Sequence, residues 1–155
     1  MRALTRKRHL AAVEVLAAKD GDLRAIVECL GPPPFRSRPA GFETLVYIIL
    51  EQQVSLASAR ATLERITTLL PEFTATAYLQ LTDEALRGAG VSRQKMRYTR
   101  ALAAAIEEDL LPMATLARRS DEHIRELLTA LPGIGNWTAD CYLMLALRRP
   151  DLWPV

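Results

Sequence analysis

The sequence predicts an all-helical, single-domain fold on three observations. Strand signals, alternating runs of Val, Ile and Thr bounded by Asn-Gly turns, are nearly absent, while apolar residues recur at spacings of three and four along the chain. Ser, Thr or Asp stands just ahead of most of these periodic runs, where its side-chain oxygen can accept the free amides of a helix start. The 155 residues, half of them hydrophobic and a quarter charged, suffice for one packed core. Seven glycines and nine prolines lie at separate points, which excludes low-complexity and collagen-like chains.

Leu10, Val13, Leu16 and Ala17 share a face and predict a first amphipathic helix, stopped at Lys19-Asp20-Gly21. Asp22 is expected to cap a short second helix through about Leu30. Gly31-Pro32-Pro33-Pro34 must break that helix, because proline has no amide donor and disfavours helix in the residue before it. With Pro39 these prolines form the expected linker, dividing the single domain 1–155 into N-terminal helices at 1–34 and a helical core at 35–155. From Phe42 the run Leu45, Val46, Ile48, Ile49, Leu50 is apolar on nearly every side, so this helix should be central; its polar tip is Glu51-Gln52-Gln53.

Ser55 is expected to cap a helix over Leu56 to Leu70, stopped by Pro71, and Thr82 another over Asp83 to Arg87, closed by Gly88 and Gly90. Ser92 opens a helix with Leu102, Ala105 and Ile106 on its apolar face. Arg93, Lys95, Arg97 and Arg100 crowd its first half, where cations oppose the helix dipole, so an anionic neighbour is expected there. After Pro112 a short helix around Leu116 leads to Ser120, which caps Asp121 to Ala130.

Composition excludes several function classes. Twenty Lys and Arg against eighteen Asp and Glu leave a net charge of +2, so a basic surface must come from local placement. Cys29 and Cys141 are far apart, which argues against a disulfide scaffold or a zinc site and for a cytoplasmic location. Arg2, Arg6, Lys7 and Arg8 precede an apolar stretch, but Glu14 interrupts it, so no signal peptide is expected, and no run approaches the ~18 apolar residues of a membrane span. His9 and His123 have no partners at ligand spacing; no side-chain metal site and no organic cofactor are expected.

The most informative stretch is Leu131-Pro132-Gly133-Ile134-Gly135-Asn136-Trp137-Thr138, between the helical patterns Ile124 to Ala130 and Trp137 to Leu147. It reads as a helix-hairpin-helix near residues 121–148. Gly133 and Gly135 are able to take positive φ and carry no Cβ, so backbone can approach a partner closely, and the next helix offers amides at its positive end. That combination suits phosphate; the alternative is a tight turn in which the glycines serve only for turning.

Three separated segments carry a resemblance: Ile48 to Ser55, Gly90-Val91-Ser92-Arg93-Gln94-Lys95, and Leu131 to Tyr142 continued by Arg149-Pro150-Asp151-Leu152-Trp153-Pro154. Over roughly residues 35 to 155 the chain resembles the helix-hairpin-helix (HhH-GPD) DNA glycosylase superfamily, and within it the alkylbase, 3-methyladenine DNA glycosylase II branch. The resemblance implies two helical subdomains with a cleft, into which one damaged nucleotide is flipped from double-stranded DNA because stacking hides its glycosidic bond. It implies DNA contacts from Leu131, Pro132, Gly133, Ile134, Gly135, Trp137, Thr138, Ser92 and Lys95, and a monovalent cation on hairpin carbonyls near Leu131 and Ile134. Gln53 matches the residue wedged into the vacated base stack, with Gln52 beside it facing a base pocket that Trp137, Asp140 and Tyr142 line; a solvated helix end is the alternative for both glutamines.

Trp137 stands where bifunctional relatives carry a Schiff-base lysine, which implies a monofunctional enzyme of base-excision repair. Its ring either meets a cationic base through cation–π attraction or packs in the core, and Tyr47 and Tyr142 either line the cleft or belong to the core. The family's catalytic aspartate would fall two positions beyond Val155, so the catalytic residue is unknown and the chain is expected to be C-terminally incomplete. The remaining candidate carboxylates are Glu51, Asp140 and Asp151. Arg118, Arg119, Arg125, Arg148 and Arg149 are candidates to join Arg93, Lys95 and Arg97 in a basic rim. Two alternatives stay open: a helix-hairpin-helix DNA-binding module without chemistry, and a helical protein-interaction domain.

Overall fold

The computed structural model describes residues 3–154 and contains, among them, ten helices and no strand. They are α1 (Arg6–Lys19), α2 (Gly21–Leu30), α3 (Phe42–Glu51), α4 (Leu56–Thr68), α5 (Ala75–Leu79), α6 (Asp83–Gly88), α7 (Arg93–Glu107), α8 (Met113–Leu116), α9 (Asp121–Thr129) and α10 (Asn136–Leu145). Seven of them begin under a side-chain cap: Thr5, Asp20, Ser55, Thr74, Thr82, Ser92 and Ser120 each accept an amide of the first turn.

Three expectations are corrected. Asp20, not Asp22, caps α2: its Oδ1 accepts from the amides of Asp22 at 2.9 Å and Leu23 at 3.0 Å, which draws Gly21 into the helix. Gly88 lies inside α6, and the chain turns at Gly90, which has φ +94°. Helix α5 was not foreseen, because five residues are too few to display a period; Thr74 was its only signal. Arg2, part of the basic start, lies outside the described residues.

Helix α3 is the hub, with eight of its ten residues buried. It contacts α4 and α7, and also α10, which in turn packs on α9. At roughly 1.5–3 kcal/mol for each large apolar side chain taken from water, this one helix holds the surrounding helices together. Phe42 lies edge-on to Tyr78 with centroids 5.5 Å apart, and the buried Tyr78 hydroxyl donates to Thr99 Oγ1 at 2.8 Å, tying α5 to α7.

Helices α1 and α2 bury no residue and pack chiefly on each other. The Leu4 amide donates to the Arg148 carbonyl at 2.7 Å, and His9 Nε2 lies 3.0 Å from the Pro33 carbonyl. Arg149, a candidate for the basic rim, is instead 6 % exposed: its Nε meets Asp121 Oδ1 at 2.9 Å and its Nη2 donates to the Ala117 and Arg119 carbonyls. Tertiary folding has turned it inward to fasten the chain beyond α10 to the start of α9.

Candidate functional site

Helices α9 and α10 are joined by the hairpin 130–135, and a partly buried ion pair locks the two arms. Arg125 donates through Nε and Nη2 to Asp140 Oδ1 at 2.9 and 2.7 Å, with Asp140 only 7 % exposed. Asp140 is therefore committed within the hairpin and is not free on a pocket wall. Gly133 has φ +83°, and a Cβ built there would clash with the Tyr98 ring. Both backbone conformation and space demand glycine at this position. Gly135 departs from expectation: its φ is −94°, an ordinary value, and a Cβ would meet nothing within 4 Å. Its small size is not needed for the turn and leaves that side open to an approaching partner.

Several expected outward-facing groups hold the hairpin in place. Gln52 Nε2 donates to the Gly133 carbonyl at 2.9 Å and to Thr138 Oγ1 at 3.2 Å, so this amide is spent on the hairpin instead of facing a base. Thr138 is 5 % exposed, and its hydroxyl is part of that clamp. Lys95 Nζ donates to the Leu50 carbonyl at 2.6 Å, completing the C-terminal end of α3, where a cation meets the negative end of the helix. Burial holds its pKa below the usual lysine value. The Ser92 hydroxyl caps α7 through the Lys95 amide. Tyr142, 1 % exposed, accepts the Gly41 amide at 3.2 Å and belongs to the core. Ile134 is also buried, Leu131 partly so, and Pro132 stands at the exposed tip.

What remains exposed at this junction is selective. Helix α10 starts at Gly135 with no side-chain cap, unlike seven of its fellows, so its first-turn amides are left for an outside acceptor. Trp137, in that same turn, is 51 % exposed, which removes the core alternative for it. Gln53 is exposed on the α3–α4 connection with φ +58°, a left-handed conformation uncommon outside glycine. Arg93 and Arg97 are exposed on the first turns of α7, and Arg97 lies 5.4 Å from the Tyr98 ring that covers Gly133. An uncapped helix start, an aromatic face and nearby guanidinium groups can receive a polyanion and a planar group side by side.

The Cys141 thiol is pushed up to about 11 by burial and by the charges of Glu51 and Asp140, so it stays protonated and unreactive at neutral pH. Among the described residues no group of three His, Cys, Asp or Glu side chains gathers at a metal-like site. Asp151 is exposed in a left-handed turn at φ +61°. Two residues that matter here were not singled out for the site. Tyr98 shares a face of α7 with Lys95, three residues earlier, and that spacing is its sequence signal; Arg38, in the linker, has none.

A family model described as HhH-GPD superfamily base excision DNA repair protein matches residues 46–153. The chain is 27 % identical over 146 residues to DNA-3-methyladenine glycosylase 1 of Schizosaccharomyces pombe, covering 90 % of this chain and 64 % of that protein. It thus spans just under two-thirds of that relative. A solved 3-methyladenine DNA glycosylase from the same yeast, in complex with abasic DNA, superposes with a TM-score of 0.84 at 28 % identity, over 93 % of this chain and 73 % of that one. A DNA-3-methyladenine glycosidase structure from Bacillus halodurans gives 0.76 at 32 % identity, over 99 % and 70 %.

Proposed function

The chain belongs to the HhH-GPD superfamily of base excision DNA repair proteins, and we propose that it serves as the DNA-gripping, base-flipping core of a monofunctional glycosylase for alkylated bases of the 3-methyladenine class. The observation that carries this reading is the uncapped start of α10 on a hairpin locked by Gln52, Tyr98 and the Arg125–Asp140 pair. A rigid set of free amides suits a phosphate of the damaged strand, and Arg93 and Arg97 add charge beside it. Leu131 and Ile134 carbonyls would hold a monovalent cation there; the Leu131 carbonyl accepts the Ile134 amide at 3.3 Å and keeps a second lone pair for it. Gln53 would fill the gap left by the flipped base, and Trp137 would face the base or its sugar.

Trp137 supplies no amine, so the proposed reaction is hydrolysis without a Schiff base and without strand cleavage. Breaking the N-glycosidic bond builds positive charge on the sugar, which a fixed carboxylate stabilises. Asp140 and Asp121 are both held in ion pairs with arginine and are not offered for this role. These engagements favour a second reading of residues 3–154, a DNA-binding module to which the hydrolytic carboxylate is external.

Duplex binding and base release test both readings. Affinity for DNA carrying an abasic analogue is expected to fall steeply with salt, and Gln53→Ala to weaken that duplex more than an intact one. Equal losses on the two duplexes would return Gln53 to a solvated turn. Release of methylated base by the 155-residue chain would place the hydrolytic carboxylate within it and overturn the second reading. A covalent complex trapped by borohydride would overturn the monofunctional reading.

A further inference from the structure

The face of α3 that carries Tyr47 and Glu51, one turn apart, already holds a planar cation. The Arg38 guanidinium carbon stands 3.5 Å from the centroid of the Tyr47 ring, and Arg38 Nη2 lies 4.0 Å from Glu51 Oε1. An aromatic face below and a carboxylate at the edge are the two features that select a delocalised planar cation over a neutral ring. Burial and the neighbouring Glu51 carboxylate push the Tyr47 hydroxyl pKa up, while Arg38 pulls it down less. Glu51 also reaches across toward α10, since its charge raises Cys141 one turn after Trp137. The Tyr47–Glu51 face ends two residues before Gln53, on the turn that leaves α3.

Arg38 is fixed at its backbone, and its tip rests on Tyr47 at the edge of solvent. Its amide donates to the Leu145 carbonyl at 2.9 Å, and the next carbonyl, Pro39, accepts from Thr44 Oγ1 at 2.6 Å. Its side chain is 37 % exposed and has a path to solvent. Cavities of about 230 and 620 Å³ both include Arg38 and Tyr47 in their walls, so there is open space on either side of this side chain.

We propose that Arg38 is an intramolecular competitor for the base site: it occupies the Tyr47–Glu51 face in the free protein, and an incoming alkylated base must displace it. The identity of the ligand rests on the glycosylase reading above; the occupation of the face by Arg38 does not. Competition weakens every occupant by the same factor, because the open state is only part of the population. Only a ring that gains from both the aromatic face and the carboxylate, a planar cation, then binds measurably, and neutral bases are turned away.

Free nucleosides test this without DNA. The probes are 7-methylguanosine, used at mildly acidic pH where it is a cation, and guanosine, its neutral counterpart, with binding followed by the amide NMR shifts of α3. Arg38→Met keeps the stem and removes the cation, and Arg38→Gln serves as a second variant should the first fail to fold. Either is expected to bind 7-methylguanosine about two- to fivefold more tightly than the parent chain, the range that loss of one exposed cation–π contact implies. Guanosine should gain by the same factor but from a weaker starting affinity, because it draws nothing from Glu51. Glu51→Gln should weaken the cation selectively. If 7-methylguanosine binds the arginine variants no better than the parent, or binds none of them, the competitor role is overturned while duplex affinity, measured separately, leaves the hairpin reading standing.

Discussion

The hairpin junction and the α1–α2 pair both place apolar residues at helical spacing, yet their fates differ. Ile134 is 4 % exposed and Leu143 fully buried, whereas Leu16 and Ile26 are just over half exposed and Leu30 is 80 % exposed. The junction is tied by long-range polar contacts: Lys95 to Leu50, Gln52 to Gly133 and Thr138, Arg125 to Asp140. The N-terminal pair is tied to the rest by a few links such as Leu4 to Arg148. Side-chain burial and cross-element hydrogen bonds, more than helix content, thus separate a region built to hold its shape from one held mainly by its own turns.

The largest effect is expected from Gly133→Val. It places a branched side chain at positive φ and inside the space of the Tyr98 ring, and should cost about 3 kcal/mol or more, lowering the melting temperature by roughly 6–12 °C. Gly135→Val, two residues on, should leave stability within about 0.5 kcal/mol because a Cβ there meets nothing, yet weaken duplex DNA binding if the proposed hairpin contact holds. Melting curves and binding isotherms of the two variants separate a glycine needed by the fold from one needed by the site. Equal destabilisation by both would break the distinction.

Gln52→Leu comes next. It strips a donor from the Gly133 carbonyl and the buried Thr138 hydroxyl, with an expected loss of about 1–2 kcal/mol in denaturant unfolding and weaker DNA binding as the hairpin loosens. Gln52→Glu should not restore the clamp, since a carboxylate has no donor for the Gly133 carbonyl. Unchanged stability in Gln52→Leu would show that packing of Tyr98 on Gly133 suffices.

Alkaline pH offers a third handle. Cys141 is raised to about 11 and Tyr142, largely by burial, to about 12, both on α10. A folded-state pKa above the unfolded one means the folded state retains its proton longer. These groups therefore cost no stability below their ordinary pKa values of 9.0 and 10.0, and stability falls as pH rises from there through the folded values. The decline should be followed at α10, with Cys29, exposed on α2, alkylated readily at neutral pH while Cys141 is protected until unfolding. Equal labelling of both thiols in the native protein would contradict the rigid junction.

The smallest effect is expected at Leu16→Ser on α1, within about 0.5 kcal/mol of the parent chain, because more than half of that side chain already meets water. Hydrogen exchange should order the regions the same way, with α1 and α2 amides opening well before those of α3 and α10.

Most helices were legible from local chemistry alone. Ser55, Thr82, Ser92 and Ser120 cap as their positions predict, and the unbroken apolar run from Leu45 to Leu50 identified the central helix, because capping and burial periodicity act over a few residues. The hairpin was equally visible in its glycines and its flanking helical patterns. Which side chains would face outward was not visible. Lys95, Gln52, Thr138, Asp140 and Tyr142 all turned inward, and Arg149 became a buried bolt, since each found its partner between 15 and 101 residues away in sequence. Periodicity assigns a residue to a face of its own helix, but a polar group's partner depends on which helices meet at what angle. Only the packing of α3 against α7 and α10 decided that Gly133 must be glycine and Gly135 need not be, and that Arg38 would lie on Tyr47.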